Sequence, residues 1–157
     1  MKKKIIAVIA ISLIMIMALV ACGSNSGGTS TKQTATAWLS NDSKRVSTTV
    51  ELTGGWSVEF APGACYIFDK EIKEDEDTEC IAMGLTLDQE VYDDHYKAHK
   101  DSEGFEEKDG ICSFKDELDG STDYLFMTDG DVPFLLDVIG DADGAAILAR
   151  LSFKKDA

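Results

Sequence analysis

The chain has two histidines, His95 and His99, and they stand four residues apart. In an α-helix this spacing places both imidazoles on one face, which is an arrangement that a zinc site can use. The residue directly after His95 is Tyr96 and not a glutamate, so the His-Glu-x-x-His signature of zinc proteases lacks its general base. A metal-dependent hydrolase using these two histidines is therefore our second hypothesis, and histidines that pack a helix against a sheet are favoured over it. A metal would need a further ligand from an acid: Asp94, Asp101, Glu103 or a more distant one.

Three cysteines, Cys65, Cys80 and Cys112, follow the first 22 residues. They form no Cys-x-x-Cys pair, so thiol-disulfide exchange and cysteine-rich zinc sites lack their usual signature. Cys65 and Cys80 flank an acidic segment, and they are the pair that we expect to be bridged if a disulfide forms. Such a bridge requires Cα atoms within about 7 Å of each other. Buried free thiols, packing as small apolar groups, are the alternative.

Several acidic segments invite comparison with calcium sites, which supply six to eight oxygen ligands. The residues Asp141-Ala-Asp143-Gly144 fit the middle of an EF-hand loop, but Ile139 and Arg150 occupy its first and last positions, where acids belong. We therefore expect a turn there. Residues 71–79 contain six acids and read as a solvated connection. A still weaker calcium prospect is the pair Asp129 and Asp131.

The overall charge limits the partners of this protein. Its 157 residues include 29 Asp and Glu against 15 Lys and Arg, which gives a net charge of -14. The length predicts one folded domain. No nucleic acid is expected as a partner, because binding a polyanion depends on clustered Lys and Arg that release counterions.

The elements that position these residues are mostly predicted strands, in which apolar and polar residues alternate along the sequence. They predict an α+β fold, a mostly antiparallel β-sheet of six to eight strands with one main amphipathic helix packed on it. The glycine-rich residues 140–144 predict a turn that joins the last two strands in a C-terminal hairpin. The predicted strands are residues 46–52, 56–60, 65–68, 81–87, 111–114, 124–127, 134–139 and 145–153.

The main helix is predicted over residues 88–101. Thr86 and Gln89 fit a capping box at its start, since a Thr and a Gln three residues apart can satisfy each other's backbone donors. Apolar and aromatic positions recur at helical spacing, which predicts a face that packs on the sheet. That predicted face contains Leu87, Val91, His95 and Ala98, with Tyr92, Tyr96 and His99 alongside.

The start of the chain has the pattern of a secretory signal. Residues 2–4 are lysines, and residues 5–21 form an apolar run that only Ser12 interrupts. The run is shorter than the roughly 20 residues of a membrane-spanning helix, and no basic cluster follows it. It ends in Leu19-Val20-Ala21-Cys22, which resembles the lipobox of bacterial membrane lipoproteins.

The lipobox resemblance implies cleavage between Ala21 and Cys22 and a diacylglyceryl group, with chains such as palmitate, on the Cys22 thiol. Two acyl chains suffice for stable anchoring, because each buried methylene contributes about 0.8 kcal/mol. The membrane is then a partner, and the protein lies on the outer face of the cytoplasmic membrane. Gly23 and Ser24 lack the aspartate that retains many Gram-negative lipoproteins, so a Gram-positive host is favoured.

Three segments follow from this interpretation. Residues 1–21 are the lipoprotein signal peptide, residues 22–37 are the lipidated cysteine and a flexible Gly/Ser/Thr tether, and residues 38–157 form a single globular domain. A tether of this composition reaches about 20 Å. The domain can therefore sample the space above the bilayer.

Two short motifs of the body resemble the PsbP/Mog1-like α/β/α sandwich, which occurs in some bacterial lipoproteins. They are Trp-Ser-Val-Glu-Phe-Ala-Pro at 56–62 and Ala-Arg-Leu-Ser-Phe at 149–153, about a tenth of the chain. The resemblance implies a fold only, and no functional residue is carried over from it.

The sequence contains no P-loop, no dinucleotide glycine fingerprint and no Gly-x-Ser-x-Gly elbow. We therefore predict a lipid-anchored extracytoplasmic domain that serves binding or protein interaction, without catalysis or a cofactor. Its ligand would be a protein or a small molecule. A structural component of an envelope assembly or stress response is a third hypothesis.

Overall fold

A computed structural model describes residues 33–72, 77–116 and 118–155. The predicted signal peptide, the lipobox cysteine Cys22 and most of the predicted tether lie outside the described residues. The elements of the described ranges are β1 Thr34–Ser40, β2 Arg45–Glu51, β3 Ser57–Ala61, β4 Ala64–Phe68, β5 Ala82–Thr86, α1 Gln89–His99, β6 Glu106–Lys108, β7 Ile111–Lys115, β8 Thr122–Met127, β9 Pro133–Val138, α2 Gly144–Leu148 and β10 Leu151–Lys155.

The strands form two antiparallel sheets. The small sheet has the order β1-β2-β10, and the large sheet has the order β3-β4-β5-β9-β8-β7-β6. Each strand pairing within the described ranges is antiparallel. The α+β class with a helix packed on an antiparallel sheet is therefore confirmed, although there are two sheets and more strands than the six to eight predicted.

The large sheet is covered on both faces, because successive side chains of a strand point to opposite sides. One face packs against residues of β1, α2 and β10, and the other packs against α1. The first core contains Leu39, Cys65, Ile67, Ala82, Phe126, Phe134, Leu136, Val138 and Ile147. The second core contains Cys112, Phe114, Leu125 and Leu135.

The face of α1 that packs on the sheet differs from the predicted one. Tyr92 and Tyr96 pack on the second core, whereas Val91, predicted to be inward, is 42 % exposed. Aromatic rings carry far more apolar area than valine or alanine, so burying the two tyrosines decides how the helix is rotated.

The predicted capping box is wrong. Thr86 is the last residue of β5, and its hydroxyl donates to the carbonyl oxygens of Ser40 at 2.9 Å and Gly63 at 3.1 Å. The N-cap of α1 is Asp88, which makes no side-chain capping bond. The Gln89 side-chain amide donates instead to the Asp93 carboxylate at 2.9 Å.

Two predicted boundaries also differ. Strand β1 begins at Thr34, inside the predicted tether of residues 22–37, because its alternating Thr and Ala side chains suit a strand that pairs with β2. The predicted C-terminal hairpin is wrong as well. The Asp143 carboxylate accepts a hydrogen bond from the Ala146 amide at 3.1 Å and starts α2, and β10 then pairs with β2.

Arg150 joins the turn before β10 to the end of β2. One guanidinium nitrogen donates to the carbonyl oxygens of Glu51 at 3.2 Å and Thr53 at 2.8 Å. The guanidinium also lies 4.0 Å above the Trp56 ring. These contacts of Arg150 hold the start of β10 beside the end of β2, within the small sheet.

Candidate functional site

The two histidines lie at the boundary between α1 and the large sheet. Their ring centroids are 6.3 Å apart, and the His99 ring stacks on Phe114 at 4.0 Å with an angle of 8° between the planes. His99 is therefore a packing residue of the second core. No group of three or more His, Cys, Asp or Glu side chains suited to a metal occurs among the described residues. The part of the chain that the structure describes thus supplies no third ligand to this pair.

The three cysteines of the described ranges are free thiols, so of the two alternatives the structure has the unbridged one for Cys65 and Cys80. Cys65 faces Gly84 across β4 and β5. Cys80 precedes Gly84 by four residues, which amounts to about 13 Å along a strand, so the two cysteines are out of register.

None of these thiols has the low pKa of a nucleophile. Burial raises the pKa of Cys65 to about 12, and burial also raises the pKa values of Cys80 and Cys112. A thiolate is the reactive form of cysteine, so these environments oppose nucleophilic catalysis.

The acidic candidates of the sequence have structural roles. Asp143 caps α2, so residues 141–144 introduce a helix instead of an EF-hand loop or a hairpin turn. Residues 71–79 connect the antiparallel neighbours β4 and β5, as predicted, although 73–76 lie outside the described residues.

A pair of facing carboxyl groups, one buried and one half-buried, is a feature that the sequence analysis missed. Asp123 of β8 and Asp137 of β9 are directly opposite each other, so their side chains emerge on the same face of the sheet. Asp123 is 6 % exposed, and Oδ1 of Asp137 is buried without a hydrogen-bond partner. The sequence signal that could have revealed the pair is one acid at an inward-facing position in each of these two otherwise apolar strands.

The environment of the pair favours protonation. Burial raises the pKa of Asp123 to about 7, and the negative charges of Asp137, Asp116 and Asp119 contribute to the increase. Burial likewise raises the pKa of Asp137, while a hydrogen bond from Ser121 acts in the opposite direction. Burial and neighbouring negative charge thus both favour the protonated form of Asp123.

A surface cleft with a volume of about 550 Å³ lies at one end of the small sheet. One wall is the β1–β2 loop with Lys44, followed by Arg45 at the start of β2, and the other wall is the β8–β9 loop with Gly130 and Asp131. Lys155, the last residue of β10, completes the lining. The lining thus includes three cationic residues in a protein of net charge -14.

Asn41 holds the first wall in place. Its side-chain oxygen accepts hydrogen bonds from the amides of Ser43 at 3.0 Å and Lys44 at 2.7 Å. Its side-chain nitrogen donates to the carbonyl oxygen of Leu87 at 2.7 Å. The loop is therefore fixed both internally and against the segment that precedes α1, which positions Lys44 and Arg45.

The second wall is a tight turn between β8 and β9. The Asp131 amide donates to the Thr128 carbonyl oxygen at 2.9 Å, and Asp131 has a positive φ of 54°. A β-carbon at Gly130 would lie 3.3 Å from a Val46 methyl group, so the turn packs closely on β2.

Two contacts cross the cleft. The Lys44 ammonium donates to the Asp131 carbonyl oxygen at 2.9 Å, and the Lys155 ammonium lies 3.8 Å from an Asp131 carboxylate oxygen. On the outer side, the Arg45 guanidinium is 4.9 Å above the Trp38 ring, which is 50 % exposed. The cleft therefore has a hydrogen-bonding cationic surface, and the accessible Trp38 ring lies outside its lining.

Comparisons with protein families, with curated proteins and with solved structures find no match to this chain. The resemblance to PsbP/Mog1-like sandwiches stays a prediction. It implies helices on both faces of a sheet, whereas here the face opposite α1 is covered by residues of the small sheet together with the short helix α2. Within the described residues, no helix has the length and apolarity needed to cross a bilayer.

Proposed function

We propose that this protein is a bacterial membrane lipoprotein whose domain serves binding or protein interaction outside the cell membrane. The observation that carries the proposal is the sequence Leu19-Val20-Ala21-Cys22, which ends an apolar run with a basic start. In this proposal Cys22 carries the diacylglyceryl anchor, and the domain lies on the outer face of the cytoplasmic membrane, with a Gram-positive host favoured.

A binding role agrees with the arrangement of the described residues. The thiols have raised pKa values, and His99 stacks on the Phe114 ring. The cleft at the end of the small sheet instead offers cationic donors on loops that hydrogen bonds hold in place. Preorganised donors of this kind favour recognition, because little conformational entropy is lost when a ligand binds.

Replacing Cys22 with alanine is expected to abolish acyl labelling and to move the protein out of the membrane fraction. The thiol is the acceptor of the diacylglyceryl group, and without two acyl chains the remaining membrane affinity is marginal. Metabolic labelling with a fatty acid, followed by fractionation of the native host, measures both effects.

The matched control is Cys80→Ala, since Cys80 is a half-buried free thiol of the folded domain. This variant should keep both its label and its membrane retention. Persistent labelling of Cys22→Ala, or membrane retention equal to that of the parent protein, would show that lipidation at this thiol is not the anchor.

A further inference from the structure

A second cleft, with a volume of about 490 Å³, is lined by residues of α1 and of the β6–β7 hairpin. Tyr92 and Tyr96 are one helical turn apart on α1, and both rings belong to this lining. Glu107 of β6 and Cys112, its buried partner on β7, line it from the sheet. We call this site the tyrosine cleft. A volume of this order accommodates a small molecule.

The two walls of the tyrosine cleft are held by contacts within the protein. Tyr92 and Tyr96 pack on the second core, and the Tyr96 ring meets Phe105 edge-on with centroids 5.9 Å apart. The turn between β6 and β7 consists of Asp109 and Gly110, whose φ angles of 53° and 78° suit a tight two-residue hairpin. The walls are therefore positioned before a ligand binds, which limits the entropy lost on binding.

The tyrosine cleft has an excess of negative charge. Its described lining contains two carboxylates, Asp93 and Glu107, and one cation, Lys97. The Lys97 ammonium lies 3.8 Å from the carboxylate of Asp94, a third acid, and both side chains are largely exposed. Glu107 accepts a long hydrogen bond from the Tyr96 hydroxyl at 3.5 Å, and no cation of the described ranges pairs with it.

The ionisation of neighbouring groups reflects this negative charge. The charge of Glu107 is the main cause that raises the pKa of the Tyr96 hydroxyl. Burial raises the pKa values of Tyr92 and Cys112, and the charge of Glu107 adds to both increases. Three groups that line the cleft thus resist a further negative charge there, and the same electrostatics favour a cation.

The combination of aromatic rings and a carboxylate matches an organic ammonium ion. An aromatic ring attracts a cation to its negative face, and sites for quaternary ammonium groups are built from such rings. A metal ion fits the cleft less well, because calcium takes six to eight oxygen ligands. No group of three or more His, Cys, Asp or Glu side chains suited to a metal occurs in the part of the chain that the structure describes.

We propose that the tyrosine cleft binds a small organic ammonium ion, with Tyr92 and Tyr96 contacting its cationic end and Glu107 balancing its charge. The net charge of -14 adds a long-range attraction for cations. This inference rests on the proposed binding role and names a class of ligand for it. Neither Cys22 nor the membrane takes part in the site.

The test titrates the full-length protein, purified in a nonionic detergent, with choline in a calorimeter at constant ionic strength. The parent protein should bind one equivalent. Tyr96→Leu should weaken binding about tenfold, whereas Tyr96→Phe, which keeps the ring, should stay within about twofold of the parent. Glu107→Gln, a change at an exposed position that leaves the core intact, should weaken binding about threefold.

Two further compounds define which part of the ligand is recognised. The neutral carbon analogue of choline, in which a tert-butyl group replaces the trimethylammonium group, should bind at least about tenfold more weakly. Ethanolamine distinguishes the kinds of ammonium ion. Tighter binding of choline indicates a quaternary ammonium ligand, and tighter binding of ethanolamine indicates a primary amine that donates hydrogen bonds to Glu107.

The matched control is Glu106→Gln, which removes the same charge from the neighbouring exposed residue of β6. Successive side chains of a strand point to opposite sides, and Glu106 is not among the lining residues. This variant should bind choline as the parent protein does.

The proposal is overturned if neither choline nor ethanolamine binds, or if the neutral analogue binds as tightly as choline. It is also overturned if Glu106→Gln weakens binding as much as Glu107→Gln does. Cys22→Ala should keep the binding of choline, so the two experiments fail separately. A protein that is acylated at Cys22 but binds neither ammonium compound would retain the proposed lipoprotein function and exclude this ligand.

Discussion

Replacing Asp123 with asparagine is expected to raise the free energy of unfolding by about 2 kcal/mol at alkaline pH and to change it little under acidic conditions. The pKa of Asp123 is about 7 in the folded protein, against 3.8 for an ordinary aspartate. Each pKa unit corresponds to about 1.4 kcal/mol, so the full difference amounts to about 4 kcal/mol. Partial contact of the carboxyl pair with water lowers this figure, and we expect about half of it.

The direction of the pH dependence follows from proton binding. The folded protein holds the Asp123 proton more tightly than the unfolded chain does, because the unfolded carboxyl group is solvated. The free energy of unfolding therefore falls as the pH rises from about 4 to about 7, and the loss is complete above that range. Asparagine has no proton to lose, so the variant should lack this contribution to the decline.

Urea denaturation at several pH values between about 4 and about 8 measures the effect. Asp141→Asn is the control, since Asp141 is an exposed aspartate, and its stability profile should parallel that of the parent protein. Equal stabilisation by Asp123→Asn at both ends of the range would disprove the explanation, and so would destabilisation at alkaline pH.

Replacing Gly84 with alanine is expected to cost about 3 kcal/mol of folding free energy. Gly84 lies in β5 within the first core, where an added β-carbon would approach Cζ of Phe134 to 2.6 Å and the Cys65 sulfur to 2.7 Å. Both distances are far below van der Waals contact. Phe134 and Cys65 are fully buried, so neither side chain has room to move away.

Chemical denaturation of a double-mutant cycle tests this cause. In a Phe134→Leu background the shorter side chain relieves one of the two contacts, so Gly84→Ala should cost clearly less there than in the parent protein. Glu59→Ala, at an exposed position of β3, is the control and should change stability by less than about 0.5 kcal/mol. An equal cost of Gly84→Ala in both backgrounds would contradict the steric explanation.

Local patterns predicted most of the individual elements. Period-two alternation located the strands near residues 46–52, 56–60 and 111–114, and helical spacing located α1, because these patterns depend only on neighbouring residues. The segment 145–153 was assigned wrongly as one strand. Its apolar residues suit a strand or a helix, and the N-cap at Asp143 favours a helix at the start of the segment.

The arrangement of the strands could not be predicted in the same way. Whether β10 joins β9 or β2 depends on contacts between distant segments, including the hydrogen bonds of Arg150 to Glu51 and Thr53. The division into two sheets follows from the same distant pairings.

The candidate sites could not be recognised from the sequence either, because each combines residues from separate segments. The cleft brings residues 41–45 together with Asp131 and Lys155. Its signal in the sequence was modest: the dipeptides Lys44-Arg45 and Lys154-Lys155 in an otherwise acidic body. The carboxyl pair depends on the register of β8 and β9, which sequence alone does not specify.

The pairing of β10 with β2 has a consequence for the kinetics of folding. The Arg150 hydrogen bond to Glu51 joins residues 99 positions apart, whereas neighbours such as β3, β4 and β5 pair in chain order. Closing so long a loop costs entropy before any contact compensates for it, and nonlocal pairing slows folding. The small sheet is therefore expected to assemble last, after consecutive hairpins of the large sheet have formed, and the cleft at its end would exist only once that slow step is complete.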